Sequence, residues 1–237
     1  MKWRNRGVVA LLILGYCTYF IAYPHLRDHG YLTWGIPQDT PPAVVRTRPA
    51  RYVKLALLDR SDPLDRRSDD PRRLSVGEIF WGMRKLSYGR MALELAGTRD
   101  DSDCASAVWG DEVRAALARG DCDQVIRGQY RAPEVGMVGL LVVFKLRDGA
   151  AAVDLLTVLD HPGSGFIHPL RPGLAHGHIS GGGEADGDGW GHYAIIRWAF
   201  PQSASAGADT ALVDDALGAL RSADDFAFDR RWAVENP

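Results

Sequence analysis

Two hydrophobic periods alternate along the second half of this 237-residue chain, and each change of period marks an element. MALELAG (91–97) alternates as a strand, and DDSD then supplies N-cap residues for a helical region over 104–119. QVIRGQY (124–130) alternates again. After a proline-bearing turn at 132–134, MVGLLVVFKL (137–146) is apolar on both alternations, which predicts a central, covered strand. DGAAAVDLLTVLD (148–160) places Val153, Leu156 and Leu159 near helical spacing behind Asp148 as a cap. HYAIIRWAF (192–200) predicts a strand stopped by Pro201. ADTALVDDALGALR (208–221) sets Leu212, Ala216 and Leu220 on one helical face beside Val213 and Leu217.

The resulting order, β-α-β-β-α-β-α, predicts an α+β domain over 90–237. The expected arrangement is a ferredoxin-like split βαβ antiparallel sheet with helices on one face. That fold hosts many activities and selects none of them. Residues 24–89 predict an extracytoplasmic tether. Its first half is proline-rich, RYVKLALLD (51–59) is strand-like, and 60–73 carries five arginines, four aspartates and two prolines, the composition of a mobile charged loop.

The first residues change the picture from a free domain to an anchored one. Lys2, Arg4 and Arg6 form a basic flank over 1–6, and 7–23 runs 17 residues without a charge. A helix of about 17–25 apolar residues spans a bilayer, and the basic flank keeps its own side cytoplasmic. No A-x-A-like cleavage site follows. The expectation is a transmembrane signal anchor in the cell membrane, single-pass, with the C-terminal domain extracytoplasmic.

Composition narrows the partners. Apolar residues make up 46% of the chain, enough for a core, and the net charge of −2 offers no basic footprint for nucleic acid. Cys17 falls in the apolar run, leaving Cys104 and Cys122 as a pair in a compartment that permits disulfides. One straight helix across that interval would separate the sulfurs by about 25 Å. A helix restricted to 111–119 and punctuated by Gly110 and Gly120 lets 105–110 fold back and the bridge close, for about 3 kcal/mol of stabilisation.

The segments DCASAVWGDEVRAALARGDCDQVIRGQY, GFIHPLRPG and GHYAIIRWA together resemble a group of membrane-anchored or secreted actinobacterial proteins. The shared pattern falls on Cys104, Trp109, Gly110, Cys122, Arg127, Tyr130, Phe166, Pro169, Leu170, Gly191, His192 and Tyr193, within about 103–199. The resemblance implies location, disulfide and fold, and transfers no mechanism.

Candidate chemistry concentrates in HGHISGGGEADGDGWGH (176–192). His176 and His178 would share a side if extended, and His192 could join them with Glu184, Asp186 or Asp188, a set suited to zinc and a metal-dependent hydrolase. Against this, 181–190 holds five glycines, whose ordering is entropically costly, and reads as an exposed connector. Ser164 and Ser180 are the serines that most nearly precede His192 as nucleophiles, but neither lies in a G-x-S-x-G elbow. Period two puts Trp198 and Phe200 on one face and Tyr193 on the other, while Arg127 and Arg197 are expected to face solvent. The expected function is a non-enzymatic binding or assembly module for a protein or cell-envelope partner, with no cofactor. A metal-dependent hydrolase and a purely structural accessory domain of a membrane complex are the alternatives.

Overall fold

The computed structural model describes residues 47–55, 62–170, 183–202 and 209–236, which belong to one compact unit. The apolar run 7–23 lies outside these residues, as do His176, His178 and Ser180; among the described residues no helix is long and apolar enough to cross a membrane.

Nine strands and five helices are described: β1 (Arg51–Lys54), α1 (Val76–Phe80), β2 (Lys85–Tyr88), β3 (Met91–Asp101), β4 (Val108–Trp109), α2 (Asp111–Arg119), β5 (Gln124–Ala132), β6 (Met137–Lys145), α3 (Gly149–Asp160), β7 (Phe166–Ile167), β8 (Glu184–Trp190), β9 (Tyr193–Pro201), α4 (Thr210–Arg221) and α5 (Asp225–Glu235). Seven strands form one sheet in the order β1-β8-β9-β6-β5-β3-β2, antiparallel except where β1 runs parallel to β8. β4 and β7 form a separate two-stranded ribbon.

The protein is therefore a mixed α/β fold, but its helices cover both faces of the sheet. Val138, Leu140, Val142 and Phe144 of β6, with Ile196, Trp198 and Phe200 of β9, pack against α2 and α3. Leu141 and Val143, with Tyr193 and Ile195, pack against α1, α4 and α5. This corrects the expectation of helices on one face, and the cause is in β6 itself: a strand apolar on both alternations must be covered twice. Nor is the strand order that of a split βαβ sheet. β3 and β5, which flank α2, are antiparallel neighbours, and β6 pairs antiparallel with β9.

Local expectations fare better. Asp148 caps α3 by accepting from the Ala151 N–H at 2.8 Å. Helix α2 covers 111–119 with Gly110 and Gly120 at its ends, the 3-10 turn Cys104–Ala107 folds back before it, and Cys104–Cys122 is a disulfide with Cα atoms 6.2 Å apart.

Two segments read as irregular are structured. Within the described part of 24–89, the strand-like reading of 51–59 meets β1, and α1, β2 and a strap over 62–75 with buried Leu64 and Leu74 follow. The acidic glycine stretch 184–190, read as a connector, is strand β8. It has no apolar alternation because one face turns Asp186 inward and the other only Ala185 and Gly187, the latter admitting the ring of Tyr52, whose hydroxyl a Cβ there would strike.

Candidate functional site

The strap over 62–75 carries most of the charged block of the sequence; Asp70 and Arg67 are fixed in specific pairs, while Arg66, Asp69, Arg72 and Arg73 stay exposed. Along its edge the Arg67 N–H donates to the Arg147 carbonyl and the Gly149 N–H to the Asp65 carbonyl, Gln124 binds both backbone groups of Leu74, and three further anchors hold it. At the first, the Leu64 carbonyl accepts the backbone N–H of His192 at 2.8 Å and the Nδ1–H of the same imidazole at 2.6 Å. Gly191 makes this approach feasible: it sits at φ +54°, and a Cβ there would collide with the Leu64 carbonyl.

At the second anchor, Arg230 of α5 is 2% exposed and donates to Asp70 Oδ1 at 2.6 Å, to both oxygens of Glu78 at 2.9 Å, and to the carbonyls of Arg72 and Arg73. The Tyr193 hydroxyl donates to Asp70 Oδ2 at 2.5 Å, and Lys145 Nζ donates to the carbonyls of Asp70 and Arg72. Buried Asp70, with Glu78 at the surface edge, thus faces the buried cations Arg230 and Lys145, which is how buried charge is tolerated. Burial pushes Lys145 below the ordinary lysine range, against Asp70 and Asp123, which favour its charge. Burial raises Glu78, but the hydrogen bonds from Arg230 and from the Ser75 N–H override it and leave the carboxyl below its ordinary range.

The third anchor is Arg67, which donates to the Asp121 carbonyl at 2.5 Å and pairs with the carboxylates of Asp121 and Asp123. Between the strap and the start of α3 lies a cleft of about 820 Å³, bordered by Asp65, Arg66, Arg67, Ser68, Asp123 and Arg147. Its rim side chains Arg66, Ser68 and Arg147 are exposed, while the strap beneath them is tied to the sheet.

The two mid-strand arginines point inward, correcting the expectation of a solvent-facing side. Arg127 pairs with Asp101 at 2.8 Å and reaches the His168 carbonyl. Arg197 pairs across the β8–β9 register with Asp186 at 2.8 Å, both residues 1% exposed, and Arg221 of α4 takes the other oxygen of Asp186 at 2.6 Å. Sequence reading missed Asp186 and Asp101 as partners because the pairing exists only once the strands are in register. The spacing of Asp186 and Arg197 around Gly191 is the one local signal, being what a hairpin centred there would align.

The residues of the quoted pattern now have physical roles. Trp109 Nε1 donates to the Thr47 carbonyl. Phe166 meets Trp198 edge-on at 5.2 Å, and the Tyr130 hydroxyl donates to the Met83 carbonyl. The Leu170 N–H donates to Gln129 Oε1 beside buried Pro169. Gly191, His192 and Tyr193 clamp the strap. As expected from period two, Trp198 and Phe200 lie on one face of the sheet and Tyr193 on the other.

The chain matches no protein-family model, no curated protein and no solved structure.

Among the described residues no group of three His, Cys, Asp or Glu side chains is placed to hold a metal. Of the expected ligand set, His192 is buried with Nδ1 committed to Leu64, and Asp186 is committed to two arginines. Ser164 is likewise buried, its hydroxyl donating to the His161 carbonyl.

Burial pushes His192 down to about 4; the Leu64 hydrogen bond opposes this and the Lys145 charge reinforces it. The unfolded chain, with a histidine near 6.5, then binds a proton that the folded chain refuses. This contribution to stability is complete above pH 6.5 and falls as pH drops toward 4. The expected loss is about 2 kcal/mol between pH 7.5 and 5 in urea unfolding. His192→Asn should flatten the slope over that range, and an unchanged slope would assign the effect to other groups.

Proposed function

We propose that the chain is a membrane-anchored, extracytoplasmic and non-enzymatic binding or assembly module for a protein or cell-envelope partner. The observation that carries the binding reading is the cleft beside the strap: exposed Arg66, Ser68 and Arg147 stand on backbone that buried ion pairs hold in one conformation. Preorganised polar groups on a rigid base favour recognition because little ordering entropy is lost on binding. Location is supported by the uncharged run over 7–23 and by the disulfide, which suits an oxidising compartment.

A photo-cross-linking residue placed at Ser68 in the cells that make the protein tests this reading. A discrete adduct is expected at Ser68, weakened by Arg66→Glu, and no such adduct from a cross-linker at Glu112 on α2. Equal adducts from both positions would sink the site. Protease added to cells whose cytoplasmic membrane is intact should reach the domain, and protection would contradict the topology.

A further inference from the structure

Among the described residues, the exposed aromatic side chains lie on one side of the sheet: Trp81 just after α1, Tyr88 on β2, and Phe228 and Trp232 on α5. These elements pack on the face that carries Leu141 and Tyr193, whereas α2 and α3 on the other face leave no large hydrophobic side chain exposed. Tyr88 is accounted for within the chain, since its ring lies over Gly218 of α4, where a Cβ would strike it. Trp81, 87% exposed, and Trp232, 68% exposed, are not, and exposed aromatic groups of this size mark contact surfaces. Phe228 and Trp232 are one turn apart and share a side of α5. With Asp229, Arg231 and Glu235 they line an open hollow of about 360 Å³, and Trp190 meets Phe228 edge-on at 4.6 Å. The cation of the hollow is already engaged: Arg231 pairs with Glu235 at 3.2 Å and with Asp62 at 3.8 Å. Asp229 has no ion pair among the described residues, so two exposed rings stand beside an uncompensated carboxylate. Such a surface favours an aromatic group accompanied by a cation. The chain itself carries that chemistry at Trp81 and Arg84, in the exposed turn after α1, and Arg84 also has no ion pair among the described residues. Glu78 of α1 and Arg230 of α5 join the two helices, which places knob and hollow on one layer of the fold.

We propose that this layer binds a second copy of the chain, with Trp81 and Arg84 of each copy set against Phe228, Asp229 and Trp232 of the other. The contact is isologous: knob meets hollow twice about a two-fold axis, and the assembly closes as a dimer. Tryptophan and arginine are the residues that dominate the energetics of such contacts. A net charge of −2 puts little general repulsion between copies, so local charge sets the pairing. None of these residues borders the cleft beside the strap, and the dimer does not rest on the binding reading above.

Sedimentation equilibrium of the purified full-length chain in a mild detergent tests the dimer. A reversible monomer–dimer equilibrium is expected, with the dissociation constant raised about tenfold or more by Trp81→Ser and by Trp232→Ser. Both side chains are exposed, so the urea midpoint of each variant should stay at the wild-type value. Charge exchange identifies the occupant. Arg84→Glu and Asp229→Arg should each weaken the dimer, and together they should restore it to within about threefold of wild type, because only a self-contact brings the two changes to one pair. The proposal is overturned by a chain that stays monomeric at every concentration, by a dimer that the tryptophan variants leave intact, or by a double variant no tighter than the single ones. A monomeric chain that binds a fluorescent arginine-rich peptide, and loses it with Trp232→Ser, would overturn it in favour of a basic partner protein.

Discussion

Asp186→Ala destabilises the fold by about 3–5 kcal/mol in urea unfolding, the range for removing one partner of a buried ion pair. Its carboxylate is the meeting point of Arg197, 1% exposed, and Arg221, which is half exposed. Without it, Arg221 can turn to water, but Arg197 is enclosed between β8, β6 and α4 and keeps its charge at any accessible pH. The penalty is therefore that of a buried guanidinium deprived of the Asp186 carboxylate rather than of one lost hydrogen bond. Replacing both members, as in Asp186→Leu/Arg197→Leu, should recover most of the loss, because desolvation of the pair offsets much of its mutual attraction. If the double variant is as unstable as Asp186→Ala, the cost lies in packing and not in charge.

The second large effect is at Arg230. Arg230→Ala should cost about 3–5 kcal/mol and also release the strap. Truncation leaves Asp70 with the Tyr193 hydroxyl as its side-chain donor and removes the donors to the carbonyls of Arg72 and Arg73. Both arginines are exposed, so their peptide bonds become trypsin sites once the backbone can move. Faster limited proteolysis at 72–73, measured at a denaturant level where both proteins stay folded, checks this. Arg230→Lys should fall between the two, since one ammonium cannot span Asp70, Glu78 and two carbonyls as a planar fork does. Equal proteolysis of wild type and Arg230→Ala would mean that the strap is held without α5.

These two clusters show where local reading of the chain stopped. Helix α2 was legible to the residue, because Gly110 and Gly120 punctuate it and the cysteine spacing admits few closures. Strands β5, β6 and β9 were legible from their alternation, and α3 from Asp148 and its apolar spacing. The strap was not. Its composition is that of a solvated loop, and what orders it comes from residues 75 to 160 positions away: Lys145, Tyr193 and Arg230. Strand β8 escaped for a similar reason: EADGDGW carries no hydrophobic period, because its inward positions are filled by an ion pair and by a ring from β1.

The elements with regular apolar periods and the disulfide were readable from residue order alone, since these depend on neighbours along the chain and on steric rules. Only the tertiary structure decided which charges are buried, that the charged block is a strap, and that a cleft opens beside it. A charge pair is recognised by distance in space, and burial can change a lysine or an arginine from a solvated group into the anchor of a distant segment.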